Sequence, residues 1–160
     1  MKKVFLASIF ALMGIASASA QFEKGQFYGG ASASGLGVSY SETTKFALGV
    51  DVLAGYTFAD NWMVLAEVGY NFQNSNTQSL TVGGRCRYYI VQNGIFLSAG
   101  ATYQHLFDNY DDFYLTPEVG YSFFLNRHVT LEPSIYYNMS LSDFGNKSRF
   151  GIKVGFGFFF

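Results

Sequence analysis

The sequence predicts an all-β fold, an eight-stranded antiparallel up-and-down transmembrane β-barrel. The composition is 49% hydrophobic and 13% charged, with 19% aromatic residues, whereas a soluble domain carries about 25% charged residues. Segments of about ten residues alternate apolar with small or polar residues, which is typical of membrane-crossing strands. Short and long connections alternate between these segments. A net charge of -1 excludes no fold, but it gives no reason to expect a nucleic-acid partner.

The N-terminus has the pattern of an export signal. Met1, Lys2 and Lys3 precede an apolar run from Val4 to Ile15, and Ala18-Ser19-Ala20 follows. A charged start, an apolar middle and small residues in an A-x-A arrangement are typical of a cleaved signal peptide. The apolar run is shorter than a membrane-spanning helix needs. We therefore expect residues 1–20 to be removed by cleavage before Gln21, which leaves 21–160 as one barrel domain.

Seven segments show clear alternation and an eighth shows it weakly. In the last segment, Phe150, Ile152 and Val154 share one parity, while Gly151 and Lys153 share the other. Side chains of a strand point alternately to opposite faces, so each segment has one apolar face. The weak member is the first, near Gln26 to Ser34, because most of it is Gly, Ala and Ser. The predicted strands cover residues 26–34, 46–58, 62–73, 80–90, 95–104, 113–123, 129–139 and 149–160.

The connections predict which end of the barrel is which. Short ones fall at 59–61, 92–94 and 125–128, and longer ones near 35–45, 74–78, 106–112 and 141–148. Asn93-Gly94 is typical of a two-residue type I′ hairpin turn. Outer-membrane barrels have short periplasmic turns and long extracellular loops. We therefore expect both ends of the barrel domain to lie on the short-turn, periplasmic side.

Glycine predicts which face lines the interior. The polar parity carries many glycines, whereas the apolar parity carries bulky Phe, Tyr, Trp and Leu. An eight-stranded barrel has an interior just wide enough for its side chains, so bulky residues on every strand would not fit there. Glycine weakens a strand unless another group approaches closely. The polar parity is therefore expected to face the lumen and the apolar parity to face lipid. The glycines concerned are Gly49, Gly55, Gly69, Gly83, Gly100, Gly120, Gly151, Gly155 and Gly157.

The C-terminal strand carries a resemblance to a known family. Its apolar parity ends in phenylalanine and resembles the signal that the outer-membrane barrel-assembly machinery reads; the residues are Ile152, Val154, Phe156, Phe158 and Phe160. As a whole, 21–160 resembles the small OmpA/OmpX-like barrels of the broad porin-family type. The resemblance implies an outer-membrane location reached through the periplasm and assembly by that machinery. It also implies a monomer in contact with outer-membrane lipids and lipopolysaccharide.

The lumen parity carries a balanced set of charges. Its members are Asp51, Glu67, Glu118 and Glu132, with Arg85, Arg87, Arg149 and Lys153. Buried charges need partners, so we expect a charge-paired polar plug. Strand pairing is predicted to set Glu67 opposite Arg85 and Gly100 opposite Arg87, with Glu118 reaching across the glycine. Lys153 is predicted to reach Glu132 diagonally. The alternative is that the same charges line a small passive pore.

The remaining polar residues predict no catalytic, cofactor-binding or metal-binding site. His105 lies near Asp108, Asp111 and Asp112, and Ser142 is in another outer loop, so a lipid A-modifying enzyme is a third, weaker hypothesis. An acidic outer rim could hold a divalent cation, although its spacing matches no calcium loop; it comprises Glu42, Asp108, Asp111, Asp112 and Asp143. His128 is expected to be a solvated turn residue and Cys86 a small apolar residue. We expect a non-enzymatic structural or surface-interaction barrel, whose extracellular partner the pattern does not specify.

Overall fold

A computed structural model describes residues 22–34, 47–73, 78–90, 94–106, 110–142 and 144–160. Within these ranges the chain forms eight strands of a single sheet. They are β1 (Phe27–Ser34), β2 (Ala47–Ala59), β3 (Trp62–Gln73), β4 (Gln78–Tyr89), β5 (Ile95–Leu106), β6 (Tyr110–Tyr121), β7 (Val129–Ser140) and β8 (Arg149–Phe159). The predicted signal peptide, its cleavage site before Gln21 and the first long loop, 35–45, lie outside the described residues.

Two short elements accompany the strands. Beyond a break at Ser122, residues Phe123–Phe124 continue the line of β6 and pair with β7. A single helical turn, α1 (Phe144–Lys147), lies between β7 and β8. In the described ranges, every helix is too short or too polar to cross a membrane.

The sheet closes on itself. Each strand pairs antiparallel with its neighbours in the sequence, and β8 pairs with β1 from Lys153↔Ser34 to Phe159↔Tyr28. At the end of this seam, Phe27 N donates to Phe160 O at 3.1 Å and Phe160 N donates to Phe27 O at 2.9 Å. The predicted eight-stranded antiparallel up-and-down barrel is confirmed, as is its weak first strand at Phe27–Ser34.

The two parities face opposite sides, as the sequence predicts. Apolar side chains on the outer face are exposed, with Val52 at 59% and Val68 at 50%. On the opposite parity the buried side chains include many polar and charged groups, among them Glu67 and Arg85. The barrel is therefore apolar outside and largely polar inside.

Inward glycines leave room for neighbouring side chains. A Cβ at Gly120 would overlap the Phe96 ring and lie 2.7 Å from Ser134 Cβ, and one at Gly100 would lie 2.9 Å from Arg85 Cβ. A Cβ at the outward Gly84 would have the Leu65 backbone oxygen as its nearest neighbour, at 3.6 Å, which is ordinary van der Waals contact. The crowded side of the wall is thus the inner one.

Two of the predicted strand registers are wrong, each by one pair of positions. Glu67 lies opposite Gly83, and Arg85 lies opposite Leu65. The β4–β5 hairpin closes at Ile90 N→Ile95 O, 2.8 Å, so its connection is 91–94 rather than the predicted two-residue turn. A longer connection moves the register, and Arg85 instead of Arg87 faces Gly100. Because side chains alternate with a period of two, this shift keeps the inward set unchanged.

Candidate functional site

A group of four buried charges lies at the centre of the lumen. Arg85 on β4 forms ion pairs with Glu67 on β3 and with Glu118 on β6, and Lys153 Nζ on β8 lies 2.9 Å from Glu118 Oε2. The four side chains are at most 8% exposed. We call Glu67, Arg85, Glu118 and Lys153 the central charge group. Glu118 is its hub, because one carboxylate oxygen accepts from two cations.

A second charge pair lies towards the short turns. Arg87 Nη1 is 2.7 Å from Glu132 Oε2, which also accepts from Tyr28 Oη at 2.9 Å. Ser122 Oγ and Thr130 Oγ1 donate to Glu132 Oε1 at 3.1 and 2.9 Å. Four hydrogen bonds therefore satisfy this buried carboxylate, as a buried charge requires. The Arg87 guanidinium also lies 4.0 Å from the centre of the Phe96 ring, within the range of a cation–π interaction.

The predicted contact between Lys153 and Glu132 is wrong. The β7–β8 register sets Lys153 opposite Ser134 and Glu132 opposite Gly155. Glu132 is held by Arg87, and Lys153 turns to Glu118 instead.

Two of the eight predicted lumen charges stand apart from these groups. Asp51 accepts a long hydrogen bond from Ser32 Oγ, 3.4 Å. Arg149 is exposed at the outer end of β8, opposite Asn138. Neither forms an ion pair with another residue of the described ranges. The lumen thus joins six of the predicted charges and leaves two nearer the outer mouth.

The short-turn end of the lumen is closed by aromatic rings. Phe22, which precedes β1, stacks on Tyr89 with ring centres 3.4 Å apart and planes at 10°. Phe124 and Phe159 each lie 5.6 Å from Phe22, and Phe96 packs against Tyr89 at 6.0 Å. We call Phe22, Tyr89, Phe96, Phe124 and Phe159 the aromatic cluster. Asn61 N donates to Phe22 O at 2.9 Å, which ties the N-terminal segment across this end.

Sequence reasoning missed the aromatic cluster. Tyr89, Phe96 and Phe159 lie on the inward parity near the short-turn ends of β4, β5 and β8, where the apolar–polar alternation fails. Met63, fully buried, is a similar exception on β3. Such exceptions gathered at one end of several strands were the available signal. Phe22 gave none, because it precedes the first strand.

Little free space remains between the charge groups. A cavity of about 10 Å³ is lined by Arg87, Glu118, Glu132 and Lys153, among others. That volume is close to the smallest that holds one water molecule. Towards the short turns, the aromatic cluster occupies the lumen next to this cavity.

The candidate catalytic residues of the outer rim lie on opposite sides of the barrel wall. His105 Nδ1 lies 2.6 Å from Asp111 Oδ1 on the exposed outer face. Ser142 Oγ donates at 2.6 Å to Asp112, which points inward and is buried. The His–acid pair therefore exists, but Ser142 is bound to a different carboxylate on the other side of the wall.

In the described ranges, the acidic side chains of the outer rim likewise do not come together to form a cation site. Asp111 and Asp112 face opposite sides, and no cluster of three His, Cys, Asp or Glu side chains occurs there. The other predicted rim residues, Glu42, Asp108 and Asp143, lie outside the described residues. His128 is exposed in its turn, with Nδ1 3.0 Å from Phe159 O, and Cys86 is free and half-buried.

The proposed assembly signal is displayed on the outside of the barrel. Ile152, Phe156, Phe158 and Phe160 are exposed and Val154 is half-buried. An outward apolar ridge is accessible to a partner, and its recognition by the assembly machinery stays a prediction.

The structure is similar to solved barrels at low sequence identity. The N-terminal β-barrel domain of OprF from Pseudomonas aeruginosa matches with a TM-score of 0.62 at 14% identity, over 86% of this chain and 98% of that one. A de novo designed transmembrane β-barrel matches with a TM-score of 0.56 at 16% identity, over 88% and 99%. The chain has the fold of the small transmembrane β-barrels.

Another barrel of this fold, Neisserial surface protein A, matches with a TM-score of 0.56 at 14% identity, over 84% of this chain and 96% of that one. For the fold, the resemblance to small OmpA/OmpX-like barrels is therefore confirmed. No family model and no curated protein matches the sequence.

Proposed function

We propose that the protein is an integral outer-membrane β-barrel with a structural or surface-interaction role and a lumen closed by a charge-paired plug. The observation that carries the proposal is a lumen occupied by side chains. The aromatic cluster occupies the short-turn end, and the central charge group lies further towards the long loops. An eight-stranded barrel has no open aqueous channel when side chains fill it. A protein of this kind acts through its outer surface and its loops.

The outer face supports placement in a membrane. Exposed apolar side chains cover the strands, as in Val52 and Val68. Aromatic rings pair on the outside at both ends, with Trp62 and Tyr88 at 4.8 Å near the short turns and Tyr103 and Phe113 at 5.1 Å near the long loops. Two such girdles flank the apolar band of membrane barrels. The predicted export signal favours the outer membrane over other membranes.

Further partners follow from this placement. Outer-membrane lipids and lipopolysaccharide would contact the apolar face, and the barrel-assembly machinery would act during biogenesis. The closed sheet leaves no free strand edge in the described ranges, which favours a monomer. The long loops would carry the contact with an extracellular partner.

Single-channel recording in planar bilayers tests the plug. The native protein is expected to give no stable open state, because the charge groups and the aromatic rings fill the lumen. Val68→Ala, an outward change beside Glu67, is the control and should leave the bilayer equally silent. A stable native conductance that disappears in Arg85→Ala or Glu118→Ala would replace the plug with the small passive pore.

One observation keeps a lipid-modifying enzyme as a second candidate. The His105–Asp111 pair lies outside the barrel, one step beyond the Tyr103–Phe113 pair along the strands. A His–acid pair at that height could meet a lipid headgroup. Mass analysis of lipid A from cells with native protein and with His105→Ala decides the matter. We expect the same acyl pattern in both, and a change confined to the native strain would establish the enzyme.

A further inference from the structure

The two prolines of the chain lie on the neighbouring strands β6 and β7. Pro117 is in the middle of β6, and Pro133 is in the half of β7 nearer the short turns. The pairing between these two strands has two gaps, at positions 116–117 and 121–122 of β6. The β2–β3 register, by contrast, runs without a gap from 47 to 57 of β2. The gaps and the prolines therefore belong to the same seam of the barrel.

The first gap follows from the missing N–H of a proline. Leu141 N donates to Phe113 O at 2.9 Å, so these residues form a hydrogen-bonded pair of the β6–β7 ladder. Such pairs recur at every second residue, which directs the odd-numbered nitrogens of both strands into this seam. Pro117 lies opposite Tyr137 in that register. It has no N–H, so the Tyr137 carbonyl lacks its ladder donor.

The second gap has the same cause on the other strand. Pro133 lies opposite Tyr121 and cannot donate to the Tyr121 carbonyl. Between the two prolines the pairing is kept, over 118–120 of β6. Proline in a sheet is normally confined to an edge, where its nitrogen faces solvent. Here both nitrogens face a partner strand in a wall surrounded by lipid, which offers the freed carbonyls no other donor.

Inward side chains bridge both gaps. At the first, Thr116 Oγ1 donates to Asn138 Oδ1 at 2.8 Å. At the second, Ser122 Oγ donates to Glu132 Oε1 at 3.1 Å. These are the positions at which the register lacks a backbone pair, and we call the two hydrogen bonds the latches. Each latch depends on the rotamers of two side chains, so rotation of one side chain releases it.

We propose that the β6–β7 seam is the line along which the barrel wall opens locally, and that the two latches hold it closed. Segments with few protecting backbone hydrogen bonds are those that open at the lowest free energy. Glu118 lies on β6 between the two gaps, so opening of the seam moves it away from Arg85 and Lys153. The opening connects the lumen sideways to the membrane.

Amide hydrogen exchange of the full barrel in detergent micelles, followed by NMR, tests the proposal. Val119 and Ile135 face each other between the gaps, and Val52 and Val68 face each other in the uninterrupted β2–β3 register. All four side chains are exposed on the outer face. The Val119 and Ile135 amides should exchange about tenfold faster than the other two, because two ladder bonds are missing beside them.

Variants of the first latch and the first gap give the matched tests. Thr116→Val removes the latch and should speed exchange of the Val119 amide about fivefold. Thr116→Ser keeps a hydroxyl and should leave the native rate. Pro117→Ala supplies the missing N–H and should slow the same amide by a similar factor. Val52 is the internal reference and should not change in any variant.

The proposal is overturned by equal exchange rates of the two amide pairs in the native protein. That comparison needs no variant, so it holds even if a substitution prevents folding. Val119 exchange that Thr116→Val leaves unchanged would also overturn it, as would an equal rise at Val52, because the whole barrel and not this seam would then be opening. Exchange that Pro117→Ala fails to slow would show that the gap does not weaken the seam.

Discussion

Two regions of the lumen are held together by different kinds of interaction. The central charge group joins β3, β4, β6 and β8 through ion pairs around Glu118. The aromatic cluster at the short-turn end joins β4, β5, β8 and the segment before β1 through stacked, tilted and edge-on ring contacts. The first depends on matched charges and the second on shape and apolar area.

This contrast shows two ways in which side chains can pack inside one narrow barrel. The attraction within a buried ion pair offsets the large cost of desolvating both charges. Loss of one partner leaves an uncompensated buried charge and destabilises the fold. Packed aromatic rings lose buried area and contacts when one of them is truncated, but no charge is left unpaired. The two regions should therefore respond differently to substitution, and their difference can be measured.

The largest effect is expected at the hub of the central charge group. Glu118→Ala leaves Arg85 and Lys153 without their shared carboxylate, and breaking a buried pair costs about 3 to 5 kcal/mol. Urea unfolding of the barrel in lipid vesicles measures this free energy. Val119→Ala, the lipid-facing neighbour, should cost no more than about 1.5 kcal/mol, because it removes some apolar surface and leaves no charge unpaired. Equal effects of the two substitutions would show that the charges are solvated.

A slightly smaller effect is expected in the aromatic cluster. Phe22→Ala should cost about 3 kcal/mol, the lower end for a buried Phe, because the chain end can settle into the space. Phe22→Leu keeps most of the volume and should cost less than about 1.5 kcal/mol. The same unfolding assay applies, now at two salt concentrations, since the loss should not depend on salt. Native stability in Phe22→Ala would mean that the ring does not close this end.

Combining the two changes sharpens the comparison. If the regions are independent, the costs of Glu118→Ala and Phe22→Ala should add to within about 0.5 kcal/mol. A larger deviation would show that the two regions are energetically coupled.

The smallest effect is expected where the wall itself is crowded. Gly120→Ala would press a methyl group into the Phe96 ring, and overpacking of this kind costs about 1 to 3 kcal/mol. Gly84→Ala on the outer face should stay within about 0.5 kcal/mol of the native protein. Thermal unfolding of the two variants side by side checks the difference. Similar losses in both would contradict the assignment of the inner face.

The fold and the sidedness of the strands could be predicted because they depend on local alternation. Every second side chain of a strand faces outward and is apolar. Glycines such as Gly120 and Gly151 mark the crowded inner face, whichever strand lies beside them. The charges that face inward could be named for the same reason.

Their partners could not be named, because pairing depends on register and on the height of each side chain along the barrel. The observed β4–β5 register differs from the predicted one by one pair, so Arg85 and not Arg87 lies opposite Gly100. A shift of two residues leaves the alternation of inward and outward side chains unchanged, so the sequence pattern does not reveal it. Lys153 reaches Glu118 across the lumen, a contact that no strand pairing contains. The position of Phe22 could not be predicted either, because it depends on packing in the closed barrel and not on the alternation within a strand.

The seam between β1 and β8 has a consequence for the order of events in folding. It joins opposite ends of the chain, as does the bond between Tyr28 and Glu132, which are 104 positions apart. Contacts so distant in sequence form slowly, because the entropy of the intervening chain must be lost first. Until the seam forms, β1 and β8 expose unpaired edges that can join another chain. The protein therefore depends on protection from aggregation until its final strand arrives.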